Sequence, residues 1–219
     1  MSNFDSDGSP EQEWDDRGEL AWNEFDWERY LREQDGAIHR YLQIYDSCQA
    51  EPDRIDAVAE KMGWGQEDGA EEASRADDDS ALDDDVYTLH KNPIFISTKA
   101  ISLGLRRSWE ALAVHGANVP QPLAVMFLGS LHRAEEQATH AIHALDFGDY
   151  AMAVSLFKRA LSALNGSLAL LNADQALRHR AVANWREDAQ PRLFDLREIW
   201  LRVMAECRDE LEQPDTDES

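Results

Sequence analysis

The sequence predicts an all-α fold, an antiparallel four-helix bundle preceded by an acidic helical arm. Three observations carry this expectation. Apolar residues recur every three or four positions over long stretches, and no segment alternates with the period of two that a strand needs, apart from a few residues near 86–90. Asn, Asp, Pro and Gly stand where such stretches begin and end. Four amphipathic helices with short connections bury four apolar stripes most simply against one another.

Taken in order, residues 1–20 are polar and acidic and are expected to be disordered. Residues 21–64 form the aromatic-rich arm. Trp27, Tyr30, Leu31, Ile38, Tyr41, Ile44 and Tyr45 share one helical stripe, with Gln34 and Gly36 predicting a kink or break near Asp35. Pro52 marks a turn, and a short helix follows that ends near Gly63. Residues 65–88 are acidic low complexity and read as a linker. The bundle spans residues 89–212. Its first helix opens at Asn92 and Pro93, a cap followed by a first-turn proline, with Gly116 as the expected C-cap. The second starts at Pro120 and Pro122 and carries Leu128, Leu131, Ala138, Ile142 and Leu145 inward, with Glu135 in the same seam. A tight turn over 146–149 hands over to the third, with Asp149 as N-cap and a seam of Tyr150, Ala153, Phe157, Ala160, Leu164, Leu168 and Leu171. The pattern weakens over 172–191, where a break or short extra helix is expected. Pro191 then begins the fourth, whose seam is Leu193, Leu196, Trp200, Val203 and Cys207. Residues 213–219 are expected to be a disordered acidic tail.

Charge divides along the same lines. The chain carries −23 in all, of which residues 1–90 hold 27 acidic and 7 basic side chains, and residues 91–205 hold 10 and 13. Such an arm repels a phosphate backbone, so nucleic acid is disfavoured as a partner, whereas a basic protein is steered in. No apolar run approaches the ~20 residues needed to span a bilayer. The acidic opening lacks an apolar core of the secretory kind, and two cysteines, Cys48 and Cys207, make no disulfide framework. The expectation is a soluble cytoplasmic protein, and the Asn-Gly-Ser at 165–167 is accordingly given no weight as a glycosylation acceptor.

Three histidines in the second bundle helix raise the question of a metal. His132, Glu136, His140 and His143 share one face, but on a helical wheel it lies roughly 135° from the inward stripe. A di-iron bundle site needs inward Glu-x-x-His motifs, and none occurs on these helices. The face reads as a solvated one, with no metal and no cofactor called for. Glu135 is expected to reach water at the seam's edge or to pair with Arg106 or Arg107, the alternative being a pocket carboxylate. Arg133 with His140, and Arg32 with His39, match the loose spacing of helical ribonucleases of the HEPN type, but two such matches arise by chance in a chain this rich in arginine. No phosphate-binding glycine loop and no nucleophile elbow is present.

Ala141, Tyr150, Ala153, Phe157 and Ala160 stand at spacings that the tetratricopeptide family fills with small and aromatic residues in alternation. Residues 140–165 therefore resemble one hairpin of that family, though His140, Ala144 and Asn165 depart from its pattern and no second copy follows. The resemblance implies a tight helical hairpin, and Ala134, Ala138, Ala141, Ala153, Ala160 and Ala163 would let two helices approach closely.

The arm carries the functional expectation. Trp22, Phe25, Trp27, Tyr30 and Leu31, with Trp14 upstream, are aromatic or apolar residues in an acidic setting. They suit either a fifth helix folded back on the bundle or a recognition helix for a groove on a partner. The expected function is a non-catalytic protein–protein interaction or scaffold module, with a protein partner or self-association. The alternative is a helical-bundle enzyme, or a small-ligand or metal-binding protein, using polar residues of the second bundle helix.

Overall fold

A computed structural model describes residues 22–64 and 89–212. The expectations for residues 1–20, 65–88 and 213–219 fall outside the described residues, as do residues 86–88 of the strand-like stretch. Among the described residues there are seven α-helices and no strand: α1 Glu24–Ser47, α2 Arg54–Met62, α3 Pro93–Ala113, α4 Gln121–Asp146, α5 Tyr150–Asn172, α6 Asp174–Leu177 and α7 Arg180–Glu212. A 3-10 turn, Leu89–Lys91, precedes α3.

Local chemistry sets most of the helix ends. The Asn92 side chain accepts from the amides of Ile94 and Phe95, and Pro93 follows at a position whose amide would have no helical acceptor. Such a cap is worth about 1 kcal/mol. Asp149 caps α5 through the Met152 amide at 2.9 Å, and Gly148 takes the left-handed conformation (φ 72°) that turns the chain between α4 and α5. Gly63 ends α2 in the same way, with φ 80°. At α1, Asn23 and Asp26 cap each other's backbone amides reciprocally.

Three expected boundaries are corrected. Helix α1 runs through Gln34 and Gly36 without a break. A helical glycine costs ~1 kcal/mol, which the buried stripe of Tyr30, Ile38, Tyr41 and Tyr45 outweighs. Helix α3 stops at Ala113 with Val114 as its C-cap, before Gly116. Helix α7 begins at Arg180, so that Pro191 lies inside it. The ring deletes one backbone donor, but Pro191 faces solvent, where water can satisfy the Glu187 carbonyl. Buried Val182 and Ala189 carry the apolar stripe across that point. The expected short extra helix is α6.

Helices α3, α4, α5 and α7 pack in a manner consistent with a bundle, and named contacts fix their directions. The Trp109 indole N–H, late in α3, donates to the Ala124 carbonyl, early in α4, at 3.2 Å, whereas Lys99, early in α3, reaches Glu135. The Ser130 hydroxyl donates to the Ala163 carbonyl across α4 and α5 at 2.8 Å. Phe157 meets Trp200 and Asn172 meets Arg186 across α5 and α7. Trp200 donates to Thr98 and Trp185 to Ser108 across α7 and α3, both at 3.0 Å. Each neighbouring pair therefore runs in opposite directions.

The α4–α5 hairpin buries the small residues Ala134, Ala138, Ala141, Ala153 and Ala160 completely, and a Cβ on Gly166 would stand only 3.2 Å from the Ser130 hydroxyl. Trp109, Phe127 and Trp185 fill the core toward one end, with ring centroids 4.6–5.4 Å apart. Burying an aromatic side chain of this kind contributes ~1.5–3 kcal/mol.

Candidate functional site

The site is built by α1, which divides into two halves. Its register on α3 follows from two contacts. Leu42 lies over Gly104, where an added Cβ would stand 3.0 Å from the Leu42 Cδ1. His39 meets Arg107: its Nδ1 donates to the Asp35 carbonyl at 2.7 Å, which leaves Nε2 to accept from the Arg107 guanidinium at 3.2 Å. Counting outward from these contacts, the residues of α1 before Glu33 extend past the last turn of α3, an overhang of roughly 13 Å.

The C-terminal half of α1 is bolted down. Tyr41 and Tyr45 are almost fully buried, with rings stacked 5.9 Å apart, and Trp64 stacks on Tyr41 from just beyond α2. The Tyr45 hydroxyl donates to an Asp195 oxygen on α7 at 2.5 Å. The same oxygen accepts from Arg54 Nε at 2.8 Å and from Arg54 Nη2. The Arg54 guanidinium also lies 4.3 Å from the centroid of the Tyr45 ring. Arg192 donates to Asp46 at 2.8 Å and to Asp188 at 3.1 Å, and Arg202 binds Asp56 through two nitrogens. Burial, reinforced by the Asp195 carboxylate, pushes the Tyr41 and Tyr45 hydroxyls far above the usual phenol range, so Tyr45 stays a donor. Burial lowers the Arg192 pKa, but Asp188 and Asp46 outweigh it and hold the guanidinium above its ordinary value. Among the described residues the buried charged side chains are Arg54, Glu135 and Arg192, and the two arginines lie at this seam.

The N-terminal half is presented. Phe25 is 72% exposed, Trp27 43% and Leu31 49%. Trp27 and Leu31 continue the stripe that Ile38, Tyr41 and Tyr45 bury further along. Tyr30, predicted with them as a contact residue, is only 6% exposed, and Trp22 is half-buried. Trp22, Trp27 and Tyr30 instead form a ring cluster with centroids 4.8–6.0 Å apart, which stiffens the end of the helix. On the other side, Phe25, Glu28, Arg29, Arg32 and Glu33 line a surface depression of about 460 Å³. Arg32 is held one turn back by Glu28 at 2.8 Å, which separates it from His39.

Glu135 is 7% exposed, and its carboxylate is shared by Lys99 at 2.8 Å and Arg106 at 3.4 Å. The expected Arg106 partner is present, and Lys99 is an addition. His132, Glu136 and His140 are exposed. His143 is half-buried with its Nε2 shielded, a correction to the expectation that this whole face meets water. Among the described residues no group of three or more His, Cys, Asp or Glu side chains is arranged to hold a metal ion, and no helix is long and apolar enough to cross a membrane.

Sequence reasoning missed the Tyr45–Arg54–Asp195 network. Its only local signal is an arginine opening a short helix beside a tyrosine stripe, and its acceptor lies 141 residues further on. Compared with known proteins, the chain matches no family model, no curated protein and no solved structure.

Proposed function

We propose that the chain is an antiparallel four-helix bundle bearing a helical arm, and that it works as a non-catalytic protein–protein interaction module. The observation that carries the reading is the overhang of α1, where Phe25, Trp27 and Leu31 are exposed on a helix whose other half is bolted to the body. A helix already formed and held at one end loses little further entropy when it enters a groove. Trp22 and Tyr30 take part by bracing Trp27. Glu24, Asp26, Glu28 and Glu33 outnumber Arg29 and Arg32 around the apolar residues, with Asp26 and Glu28 paired to those arginines, so the partner of best fit is a protein with an apolar groove whose polar rim carries a small excess of Lys and Arg. Cys48 and Cys207 are buried free thiols, which suits a reducing, cytoplasmic setting. For the enzyme alternative, Glu135 would be the residue to activate, but its carboxylate is engaged by two cations.

A photo-crosslinking residue at Phe25 tests the reading. In an extract of the native host, illumination should yield a discrete protein adduct that is lost when Trp27→Ser and Leu31→Ser are added. The same crosslinker at exposed Glu206 serves as control. Identical adducts from both positions would overturn the reading.

A further inference from the structure

Every charged contact that ties residues 22–64 to α7 joins two parts of the chain separated by residues 65–88. Tyr45 and Arg54 meet Asp195, Asp46 meets Arg192, and Asp56 meets Arg202. The arm also has contacts of its own that let it move as a unit: Trp64 stacks on Tyr41, and the Lys61 ammonium donates to the Cys48 sulfur at 3.1 Å. Its seat is a groove between α3 and α7, floored by Gly104, which receives Leu42. The 24 residues of 65–88 join arm to seat. At ~3.3 Å per residue their extended length is roughly 79 Å, more than the diameter of a domain of this size.

We propose that this groove also accepts the α1–α2 arm of a second copy, so that two chains exchange arms in a reciprocal dimer. The inference rests on the interaction-module reading and names a second copy as one partner. Complementarity is assured, because the incoming arm is the same sequence that fills the groove within one chain: Arg54 of the second copy finds Asp195, and Asp56 finds Arg202. The contacts are identical in the closed monomer and the exchanged dimer, so concentration decides between them. The dimer grows in as the chain concentration approaches the effective concentration set by the tether, on the order of millimolar.

The test places single cysteines on two different full-length chains in a Cys48→Ala, Cys207→Ala background. One chain carries Asp56→Cys and the other Arg202→Cys, both at exposed positions that a short bis-maleimide can bridge. The two are mixed, unfolded in denaturant, refolded together at up to about 1 mM, diluted and crosslinked. The expected product is a covalent dimer of twice 24.9 kDa whose yield rises with refolding concentration. A control chain carrying both substitutions should crosslink within itself. Efficient crosslinking of that control, with no covalent dimer from the mixture at any concentration, would overturn the exchange. A dimer seen by light scattering without the 56–202 crosslink would also overturn it, while leaving the interaction-module reading in place, since two chains would then meet through another surface.

Discussion

Replacing Asp195 with alanine should loosen the arm more than any surface substitution does. Its Oδ2 accepts the Tyr45 hydroxyl at 2.5 Å and two nitrogens of Arg54, whose side chain is 9% exposed. Removing one member of a buried ion pair leaves the other charge without compensation and costs ~3–5 kcal/mol. Asp195 is itself 19% exposed, so water reaches the vacated site in part, and the better helix propensity of alanine returns a few tenths of a kcal/mol. A net loss of ~2–4 kcal/mol follows. For a domain of this size that lowers Tm by roughly 5–15 °C. Thermal unfolding followed by circular dichroism reads the shift, with Arg202→Ala as the comparison. Arg202 is 47% exposed and pairs with Asp56 and Glu198 at the surface, so its loss should cost under ~1 kcal/mol. Replacing both partners, Arg54→Met with Asp195→Leu, should recover part of the stability, since neither charge is then left unpaired, and adding Tyr45→Phe should recover more, because the buried Tyr45 hydroxyl otherwise loses its acceptor at a cost of ~1–3 kcal/mol. Equal shifts from Asp195→Ala and Arg202→Ala would refute the claim that a buried charge network fastens the arm.

Three further outcomes follow from the same physics. Thr98→Val leaves the indole N–H of fully buried Trp200 without its acceptor and should cost ~1–3 kcal/mol in chemical denaturation, whereas Ser108→Ala, which removes the acceptor of half-buried Trp185, should cost less. Glu135→Leu should be near neutral and Glu135→Ala destabilising by about 1–2 kcal/mol, because Lys99 and Arg106 are exposed enough to turn to water once the carboxylate is gone; denaturant midpoints at constant slope read the difference. Burial raises the Asp146 pKa above its ordinary 3.8 against the opposing pull of His143, so the charged form is the one that folding disfavours. The penalty is therefore present in full above the folded pKa and absent below 3.8. Because Asp146 is largely exposed, water screens most of this penalty: Asp146→Asn should raise Tm only slightly at neutral pH, helped by removing a negative charge from the last turn of α4, and that small gain should vanish as the pH is lowered through this range.

Much of the frame was legible because its signals are local. Asn92 with Pro93, Asp149 and Gly148, and Gly63 act through hydrogen bonds or backbone freedom within a few residues of themselves, and each ends or starts a helix where its chemistry says it should. The all-α class and the small-residue contact of α4 with α5 rest on periodicity, which is also local. Gly36 and Pro191 were misleading for a related reason. Local propensity argues for a stop at each, but buried stripes running across both positions supply several kcal/mol against the ~1–3 kcal/mol that either residue costs. What could not be read was long-range pairing. Nothing near Arg54 names Asp195, and nothing near Glu135 singles out Lys99 over the arginines on the same helix. The division of α1 into a buried and an exposed half is also invisible in its own pattern, since Trp27, Leu31, Ile38 and Tyr45 share one stripe. The end of α3 limits the cover that helix gives, while Tyr30 stays buried beyond it within the ring cluster.

That division is tested most directly by amide hydrogen exchange on the full chain, read peptide by peptide along α1. Amides over 38–47 should exchange slowly, at rates tracking those of α3 and α7, and those over 25–31 should exchange at least tenfold faster. Uniform protection along the whole helix, or a slow N-terminal half beside a fast C-terminal one, would contradict the claim that one end is fastened and the other offered to a partner.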